Sequence, residues 1–493
     1  MSNSTMKKVK LSDSRMYSNS VTKKVKLTDS RGMSNSATMK IRLRMSNSMT
    51  KKVEVNDNVH KDMFSYLPEC IILHILSSLN TKDAVRTCVL SSRWKDLWKR
   101  LPALSFDYRD FRTGDMFNEF VFKALSLRDS SISLHTLDFD NRICRLEPHI
   151  LRFVVDYAIL HNVQRFGLSA ASGVAQIPPE LFSSKTLTHL TLAISNSKRD
   201  FDHISLNLPS LTYLKLSIHH AMETPFPNSL CLPTLSTLEL DNLTFYVGNN
   251  SCAEPFSTFS KLISLSISEC TVKGAGTLCI SSASLVNFSM YIESDEDDYY
   301  KIVLCTPGLR TFAFSGYPYQ DISWSNVSSL EHVDIDAEVF LSSCGPPFFL
   351  FKWLLEFANI KSLTVTASTL QALSLIPGLL EFKIPSLGKL KSLRVRIDEI
   401  QYGLRMALCE DKLMNIKSME EAARIKKAFD LGLQPSPLVP DGVVDFLLQN
   451  SPSAEVDFVD GRKKKPLKKR NLQLESALRG CYNPSEFRYN TSM

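Results

Sequence analysis

Side chains that could perform chemistry are few in this sequence and lie far apart. It contains no G-x-S-x-G nucleophile motif, no H-E-x-x-H zinc motif and no phosphate-binding P-loop. The segment Gly274-Ala275-Gly276 lacks the third glycine of a dinucleotide-binding loop and follows no predicted βαβ unit. His219 and His220 form an isolated pair, which is more typical of loop residues than of metal ligands. The sequence therefore predicts no catalytic centre, no cofactor and no metal site.

Eleven cysteines are scattered from Cys70 to Cys481, and none of them forms a C-x-x-C pair. This pattern favours buried free thiols in a reducing compartment over a disulfide framework or a zinc site. The sequence has no run of 18 apolar residues and no apolar signal-peptide core near Met1. We therefore expect neither a membrane span nor secretion.

Residues 62–108 are predicted to form three short amphipathic helices. Pro68 can open the first helix because its missing N–H would have no partner there. Thr81 can cap the second, and Ser91 or Ser92 the third. Apolar residues recur at helical spacing, namely Leu67, Ile71, Ile75, Leu76 and Leu79, then Ala84, Val85, Cys88 and Val89, then Trp94, Leu97, Trp98 and Leu101. So small a unit buries too little surface to be stable alone, and we expect it to need a partner.

The same segment resembles the F-box, a helical module that attaches a substrate receptor to an SCF-type ubiquitin ligase. The resemblance is carried by Leu67-Pro68-Glu69, Thr81-Lys82-Asp83-Ala84-Val85, Ser91-Ser92-Arg93-Trp94-Lys95 and Leu97-Trp98. It implies that a Skp-type adaptor, itself joined to a cullin, is bound by Leu67, Pro68, Ile71, Ile72, Leu76, Val85, Val89, Trp94 and Leu97. Cys70 and Asn80 depart from the family pattern, which bears on adaptor affinity. The residues alone also fit an alternative to an adaptor-binding module, which is a small helical lid that packs its apolar residues against the next domain.

A leucine pattern, L-x-x-L-x-L, repeats along the 493-residue chain after this segment. Its eleven copies begin at Leu134, Val163, Leu187, Leu211, Leu235, Leu262, Leu285, Leu309, Leu330, Ile360 and Leu390. Spacings of roughly 20–30 residues are typical of leucine-rich repeats, in which each copy supplies one strand and stacking completes the core. The predicted fold is therefore α/β, a three-helix F-box followed by a leucine-rich-repeat horseshoe with a parallel sheet on its concave face.

Polar residues alternate with the leucines and are predicted to line that concave face. The candidates for substrate binding are His189, Tyr213, Lys215, Glu239, Asp241, His332, Asp334, Arg394 and Arg396. Acidic residues lie in the middle of the array and basic ones near its end. Each residue alone fits an ordinary solvated strand, whereas the face as a whole favours a protein partner. The strands of this face carry no cluster of Arg and Lys residues that could bind a phosphorylated ligand such as an inositol phosphate. We therefore expect no small-molecule cofactor.

An acidic run, Glu293 to Asp298, precedes Tyr299 and Tyr300 between two copies. Such a run is typical of a solvated loop. A loop that contacts a partner is the alternative, because tyrosine is enriched at protein interfaces. Residues 109–400 are predicted to be the solenoid and 401–460 its C-terminal cap. The C-terminal extension called FBD in plant relatives finds no convincing match in this sequence.

Both ends of the chain are basic. Residues 1–61 repeat a Met-Ser-Asn-Ser leader followed by lysines, and are predicted to be a disordered tail. An inert tail, a nuclear-import signal and a transit peptide are its three interpretations. Residues 461–493 form a second basic tail, in which Arg462, Lys463, Lys464, Lys465, Lys468, Lys469 and Arg470 are candidates for nuclear import. Specific nucleic-acid binding is the least favoured interpretation of this block.

The sequence thus predicts a non-catalytic substrate receptor of a plant-type SCF ubiquitin ligase, located in the nucleus, the cytoplasm or both. The F-box would bind the adaptor and the repeats a protein substrate. One alternative is an interaction scaffold that is not coupled to degradation. Another is a nucleic-acid binder that acts through its basic tails, with an affinity that falls steeply as salt rises.

Overall fold

This computed structural model describes residues 67–143, 147–171, 173, 176–195, 205–219, 223–227, 229–246, 252–274, 276–293, 299–324, 327–339, 348–432 and 437–461. The chain divides at residue 66, and all the described residues lie in the second of its two units. The N-terminal repeats, the acidic residues 294–298, His220 and the basic block Arg462–Arg470 lie outside the described residues.

Nine α-helices and twenty strands are found in the described residues. The helices are α1 (Glu69–Ser77), α2 (Thr81–Arg86), α3 (Gly114–Leu127), α4 (Pro148–Leu160), α5 (Phe348–Glu356), α6 (Ala367–Ser374), α7 (Tyr402–Asn415), α8 (Met419–Asp430) and α9 (Val443–Leu448). The strands are β1 (Ala103–Asp107), β2 (Thr136–Asn141), β3 (Arg165–Ala170), β4 (His189–Ser195), β5 (Ser205–Asn207), β6 (Tyr213–His219), β7 (Ser229–Cys231), β8 (Thr237–Asp241), β9 (Thr244–Tyr246), β10 (Ser264–Ser268), β11 (Thr271–Lys273), β12 (Thr277–Ser281), β13 (Asn287–Ile292), β14 (Lys301–Cys305), β15 (Thr311–Gly316), β16 (Asp321–Ser323), β17 (His332–Ala337), β18 (Ser362–Thr366), β19 (Ser392–Ile397) and β20 (Glu455–Asp460). None of these helices is long and apolar enough to cross a bilayer.

Thirteen strands of the described chain form one large sheet, in the order β1-β2-β3-β4-β6-β8-β10-β13-β15-β17-β18-β19-β20. Its neighbouring strands are parallel, and their register places one repeat beside the next, as in Leu190 beside Leu214 and Leu214 beside Leu238. Smaller sheets join β5 to β7, β9 to β11, and β12 to β14 and β16. This arrangement confirms the predicted leucine-rich-repeat solenoid.

The leucines of the repeat form the core of the solenoid. In β8 the side chains alternate, so that Leu238 and Leu240 are buried while Thr237, Glu239 and Asp241 are half-buried. The first leucine of a copy, such as Leu235, lies before its strand and is also buried. Stacking thus buries a continuous apolar ladder that no single repeat could bury alone.

The sheet extends beyond the predicted repeats at both ends. Its first strand, β1, lies inside the segment predicted as F-box, and its last, β20, lies inside the segment predicted as cap. Between β19 and β20 the chain forms α7, α8 and α9. The buried helix α6 packs against β17, β18 and β19 on the core side, and α7 and α9 cover it in turn.

Candidate adaptor interface and partner surface

Helix α1 has one buried side and one exposed side. Pro68 precedes its first residue with an extended ψ of 144°, and Glu69 in the first turn suits the helix dipole. Ile72 and Leu76, four residues apart, are completely buried. Ile71 is 43% exposed, and Ile75 also lies at the surface. An apolar residue left in water beside a filled core is the arrangement expected of a docking surface.

The cap of helix α2 differs from the prediction. Asn80, not Thr81, caps this helix, because its side-chain oxygen accepts a hydrogen bond of 2.7 Å from the Asp83 N–H. Thr81 is buried instead, and its hydroxyl oxygen accepts a bond of 2.8 Å from the backbone N–H of Ser105 in β1. The position that sequence reasoning assigned to a cap therefore joins the helix to the large sheet.

A 3₁₀ turn, Thr87–Val89, follows α2 and carries the most exposed apolar residues of the F-box segment. Val89 is 88% exposed and Leu90 is 65% exposed. Sequence reasoning missed Leu90, although the apolar pair directly before two serines was a signal that could have identified it. Two exposed apolar segments result, one along α1 and one at this turn.

The predicted third helix is present only as turns and a 3₁₀ helix, Leu97–Arg100. Its four predicted apolar residues, Trp94, Leu97, Trp98 and Leu101, are all buried. The apolar pattern thus identified core residues correctly but overestimated the regularity of the backbone that presents them.

The residues predicted to bind the adaptor therefore separate into two groups. Ile72, Leu76, Trp94 and Leu97 are buried and form the core of the segment. Pro68, Ile71 and Val89 are exposed, and Leu67 and Val85 are partly buried. Only the second group, together with Ile75, Leu79 and Leu90, offers surface to a partner. Their role in adaptor binding remains a prediction.

Polar contacts fix the segment internally and to the sheet. Arg100 pairs with the Glu69 carboxylate, and Arg93 donates to the Leu67 carbonyl oxygen. Lys82 donates to the Asp110 carbonyl oxygen, and its ammonium lies 4.3 Å from the centre of the Phe111 ring. Lys82 thus joins α2 to the 3₁₀ turn, Tyr108–Asp110, that follows the first strand of the solenoid.

Several of the candidate polar residues on the large sheet are paired with one another. Lys215 lies beside Glu239 in register, and the Lys215 Nζ–Glu239 Oε2 distance is 3.2 Å. His189 and Tyr213 stack with ring centres 5.7 Å apart. Burial, followed by the nearby Glu239 carboxylate, raises the pKa of Tyr213. The strands β4, β6 and β8 thus present an aromatic pair beside a compensated charge pair.

A second group of ion pairs lies near the C-terminal end of the sheet. Arg396 contacts Asp334 at 3.0 Å and Asp336 at 3.8 Å, and Arg394 contacts Asp457 at 3.2 Å. Burial raises the pKa of Asp334 even though Arg396 opposes the shift. The acidic and basic regions predicted from sequence are thus not separate. Arg396 in β19 neutralises carboxylates in β17, two strands away, and Arg394 in β19 neutralises a carboxylate in the next strand, β20.

The remaining candidates on this face have individual partners. Asp241 accepts a hydrogen bond of 2.8 Å from the Ser217 hydroxyl. His332 lies 3.9 Å from the Glu331 carboxylate and stays largely exposed.

Of the two tyrosines after the acidic run, Tyr300 is buried, whereas Tyr299 is half exposed and lies 5.9 Å from the ring of Phe349. A contact loop at this point would therefore use Tyr299 alone.

The cysteines correct one expectation. Cys252 and Cys279 form a disulfide, although the sequence predicted free thiols. Among the six free cysteines of the described residues, Cys270 and Cys409 are buried, whereas Cys70 and Cys231 are exposed. Burial raises the pKa of the Cys270 thiol to about 12, so this group is inert at neutral pH.

Comparison with known proteins agrees with this architecture. Residues 64–105 match the F-box domain. An F-box/FBD/LRR-repeat protein of Arabidopsis thaliana is 27% identical over 353 residues, which cover 66% of this chain and 69% of the relative. F-box/LRR-repeat protein 13 of the same plant is 26% identical over 344 residues, or 66% of this chain and 69% of the relative. Another F-box/FBD/LRR-repeat protein is 30% identical over 275 residues, 53% of this chain and 54% of the relative.

The fold and the exposed surfaces define a helical docking module joined to a leucine-rich-repeat solenoid. Residues 64–105 thus carry an F-box domain, and the chain is similar to F-box/LRR-repeat proteins of Arabidopsis thaliana.

Proposed function

We propose that this protein is the substrate-recognition subunit of an SCF-type ubiquitin ligase. The F-box domain implies a Skp-type adaptor as its partner in general terms. The observation that carries the proposal is the division of apolar residues within the F-box. Ile72 and Leu76 fill the core, while Ile71, Val89 and Leu90 remain in water. The exposed residues give the adaptor an apolar surface whose burial favours binding.

In this proposal the solenoid selects the substrate and performs no chemistry itself. A receptor accelerates ubiquitin transfer by holding a substrate lysine near the loaded enzyme, which is catalysis by proximity. Such positioning requires a stiff connection between the two binding surfaces. Thr81 bonded to Ser105, and Lys82 bonded to the Asp110 carbonyl, supply that connection at the first strand of the sheet.

The aromatic pair His189–Tyr213 and the neighbouring Lys215–Glu239 pair are the proposed centre of substrate binding. Tyrosine is enriched at protein interfaces, and a compensated ion pair is desolvated with less penalty than a lone charge. A chain with Tyr213→Ala and His189→Ala should still bind the adaptor but lose its substrate. Proteins captured from plant cells by wild type and not by this variant, while proteasomes are inhibited, are then the substrate candidates.

Reconstitution with purified Skp-type adaptor and cullin tests the ligase assignment. Wild type should form a ternary complex, and Val89→Asp should weaken adaptor binding at least tenfold because a charge would be buried without a partner. Leu160→Asp is the matched control, since Leu160 at the end of α4 is 76% exposed and lies outside the F-box. If wild type binds the adaptor but recruits no cullin, the interaction scaffold is favoured over the ligase subunit. If wild type does not bind the adaptor, both proposals are overturned.

We also propose that the protein acts in the nucleus, the cytoplasm or both, as the basic block Arg462–Arg470 suggests. A fluorescent fusion with its seven basic residues changed to glutamine should lose nuclear enrichment. Equal distribution of both fusions would assign the block to an inert tail.

A further inference from the structure

Three potential metal ligands lie together where one repeat meets the next, outside the F-box surface and the polar pairs of the large sheet. Ala253 pairs with β12, since its N–H donates to the Thr277 carbonyl at 2.9 Å and its carbonyl accepts from the Cys279 N–H at 2.8 Å. Ala253 and Leu278 are buried. Because side chains alternate along extended backbone, Cys252, Glu254 and Cys279 lie on the opposite, outward side.

The backbone therefore holds these three side chains in a fixed relation. Their ligand atoms, two Sγ and one carboxylate oxygen, all lie within 4.8 Å of one another. Both cysteines are partly buried and Glu254 is exposed. No other group of three such residues is found within the described ranges.

The spacing also suits a bound metal when the disulfide is open. The Cα atoms of the two cysteines are 6.3 Å apart. Two thiolates on one tetrahedral Zn²⁺, each at about 2.3 Å, have sulfurs about 3.8 Å apart. Rotation of the two side chains reaches that separation without backbone movement. A glutamate oxygen within the same group supplies a third ligand, which leaves the fourth position to water.

We propose that Cys252, Cys279 and Glu254 bind one Zn²⁺ when the two cysteines are reduced. The disulfide is then the oxidised, metal-free state of the same pair. Two molecules of a small thiol such as glutathione reduce it by exchange, giving two protein thiols and one oxidised glutathione. Zinc binding then releases both thiol protons to solvent, because thiolates are the ligands.

The bound metal would link the segment around Cys252 to β12 of the following repeat. Since zinc binds the folded chain and finds no such arrangement in the unfolded one, it should raise the unfolding temperature of the reduced protein. The array would thus keep a cross-link between neighbouring repeats in a reducing compartment, where the disulfide is not maintained.

Cobalt(II) titration tests the site in the full-length protein after reduction and removal of metals by a chelator. Wild type should bind one Co²⁺ with thiolate-to-cobalt charge-transfer absorption, and Zn²⁺ should displace it. Cys252→Ser and Cys279→Ser should each abolish that absorption, and Glu254→Gln should weaken Co²⁺ binding at least tenfold. Cys305→Ser is the matched control, because Cys305 lies in the next strand, β14, opposite Ser281, and should bind Co²⁺ like wild type.

Two results of the Co²⁺ titration would overturn the proposal, and a third test uses oxidation. One is absence of the absorption in reduced wild type, and the other is its persistence in both Cys252→Ser and Cys279→Ser, which would assign it to other thiols. Unfolding temperatures of the reduced, metal-free variants within about 2 °C of wild type exclude misfolding as the cause. Oxidation with glutathione disulfide should remove two titratable thiols and the Co²⁺ site together, and retention of the site in that state would also contradict the proposal.

Discussion

Two adjacent isoleucines should respond oppositely to the same substitution. Ile71 is 43% exposed, whereas its neighbour Ile72 is completely buried. Burying a whole isoleucine side chain is worth about 1.5–3 kcal/mol, so the exposed part of Ile71 can contribute about 1 kcal/mol to a complex. Ile71→Ala should therefore weaken adaptor binding about fivefold. It should leave the free energy of unfolding nearly unchanged.

Ile72→Ala should instead destabilise the fold. Loss of buried methyl groups and the cavity left behind typically cost about 2–5 kcal/mol of unfolding free energy. Adaptor binding should persist at low temperature, where the F-box segment remains folded. The two variants share the residue type, the helix and the substitution, so each is the control for the other.

Calorimetry with a Skp-type adaptor measures the binding, and denaturant unfolding measures the stability. Trp94 and Trp98 are buried in the F-box segment, and Trp324 and Trp353 are buried in the solenoid, so tryptophan fluorescence follows unfolding of both parts. The reasoning fails if Ile72→Ala loses adaptor binding while unfolding like wild type, or if Ile71→Ala is destabilised as strongly as Ile72→Ala. Either result would mean that burial within the free chain does not separate core from interface.

Three further substitutions test the fold around these surfaces. Gly316→Ala should lower stability by about 3 kcal/mol in thermal unfolding, because φ is +107° and the added Cβ would overlap the Ile292 carbonyl oxygen; wild-type stability would contradict this. Thr81→Val should cost about 1–3 kcal/mol in denaturant unfolding by leaving the Ser105 N–H without its acceptor, and an unchanged midpoint would argue against that bond. Burial raises the pKa of Asp138, so the folded state binds its proton more tightly than the unfolded state, and wild type should gain stability as pH falls from 7 toward that pKa. Asp138→Asn should be more stable than wild type at pH 7, with a smaller gain on acidification, and a lower melting temperature at pH 7 would refute this.

The solenoid was predictable because each repeat carries its own signal. Leu187, Leu211 and Leu235 recur every 24 residues and are all buried. The charge pair Lys215–Glu239 has the same spacing of one repeat, so the register of parallel strands could have predicted it. Local periodicity thus fixes both the core ladder and the nearest neighbours across strands.

The disulfide also had a signal that the cysteine count concealed. Cys252 and Cys279 are 27 residues apart, close to one repeat, which brings them together on neighbouring turns of the solenoid. Counting cysteines and searching for C-x-x-C spacing cannot detect a pair that only the repeat aligns. In a repeat protein, cysteines one period apart should be considered neighbours.

The F-box surface was less predictable for a physical reason. A helix that contacts both its own core and a partner is apolar over much of its circumference, so spacing alone cannot assign Ile71 to one and Ile72 to the other. Strand β20 was not foreseen either, because it pairs with β19 only after three helices intervene. Non-local pairing of this kind leaves no periodic pattern in the sequence.

Hydrogen–deuterium exchange of the full chain, alone and with a Skp-type adaptor, tests the central claim most directly. If the exposed apolar residues of the F-box are the docking surface, the adaptor should slow exchange in residues 67–79 and 87–92. Exchange in the strands from β4 to β17 should stay unchanged. Protection confined to the solenoid strands, or no protection at adaptor concentrations far above the chain, would contradict the assignment of the F-box as the adaptor-binding surface.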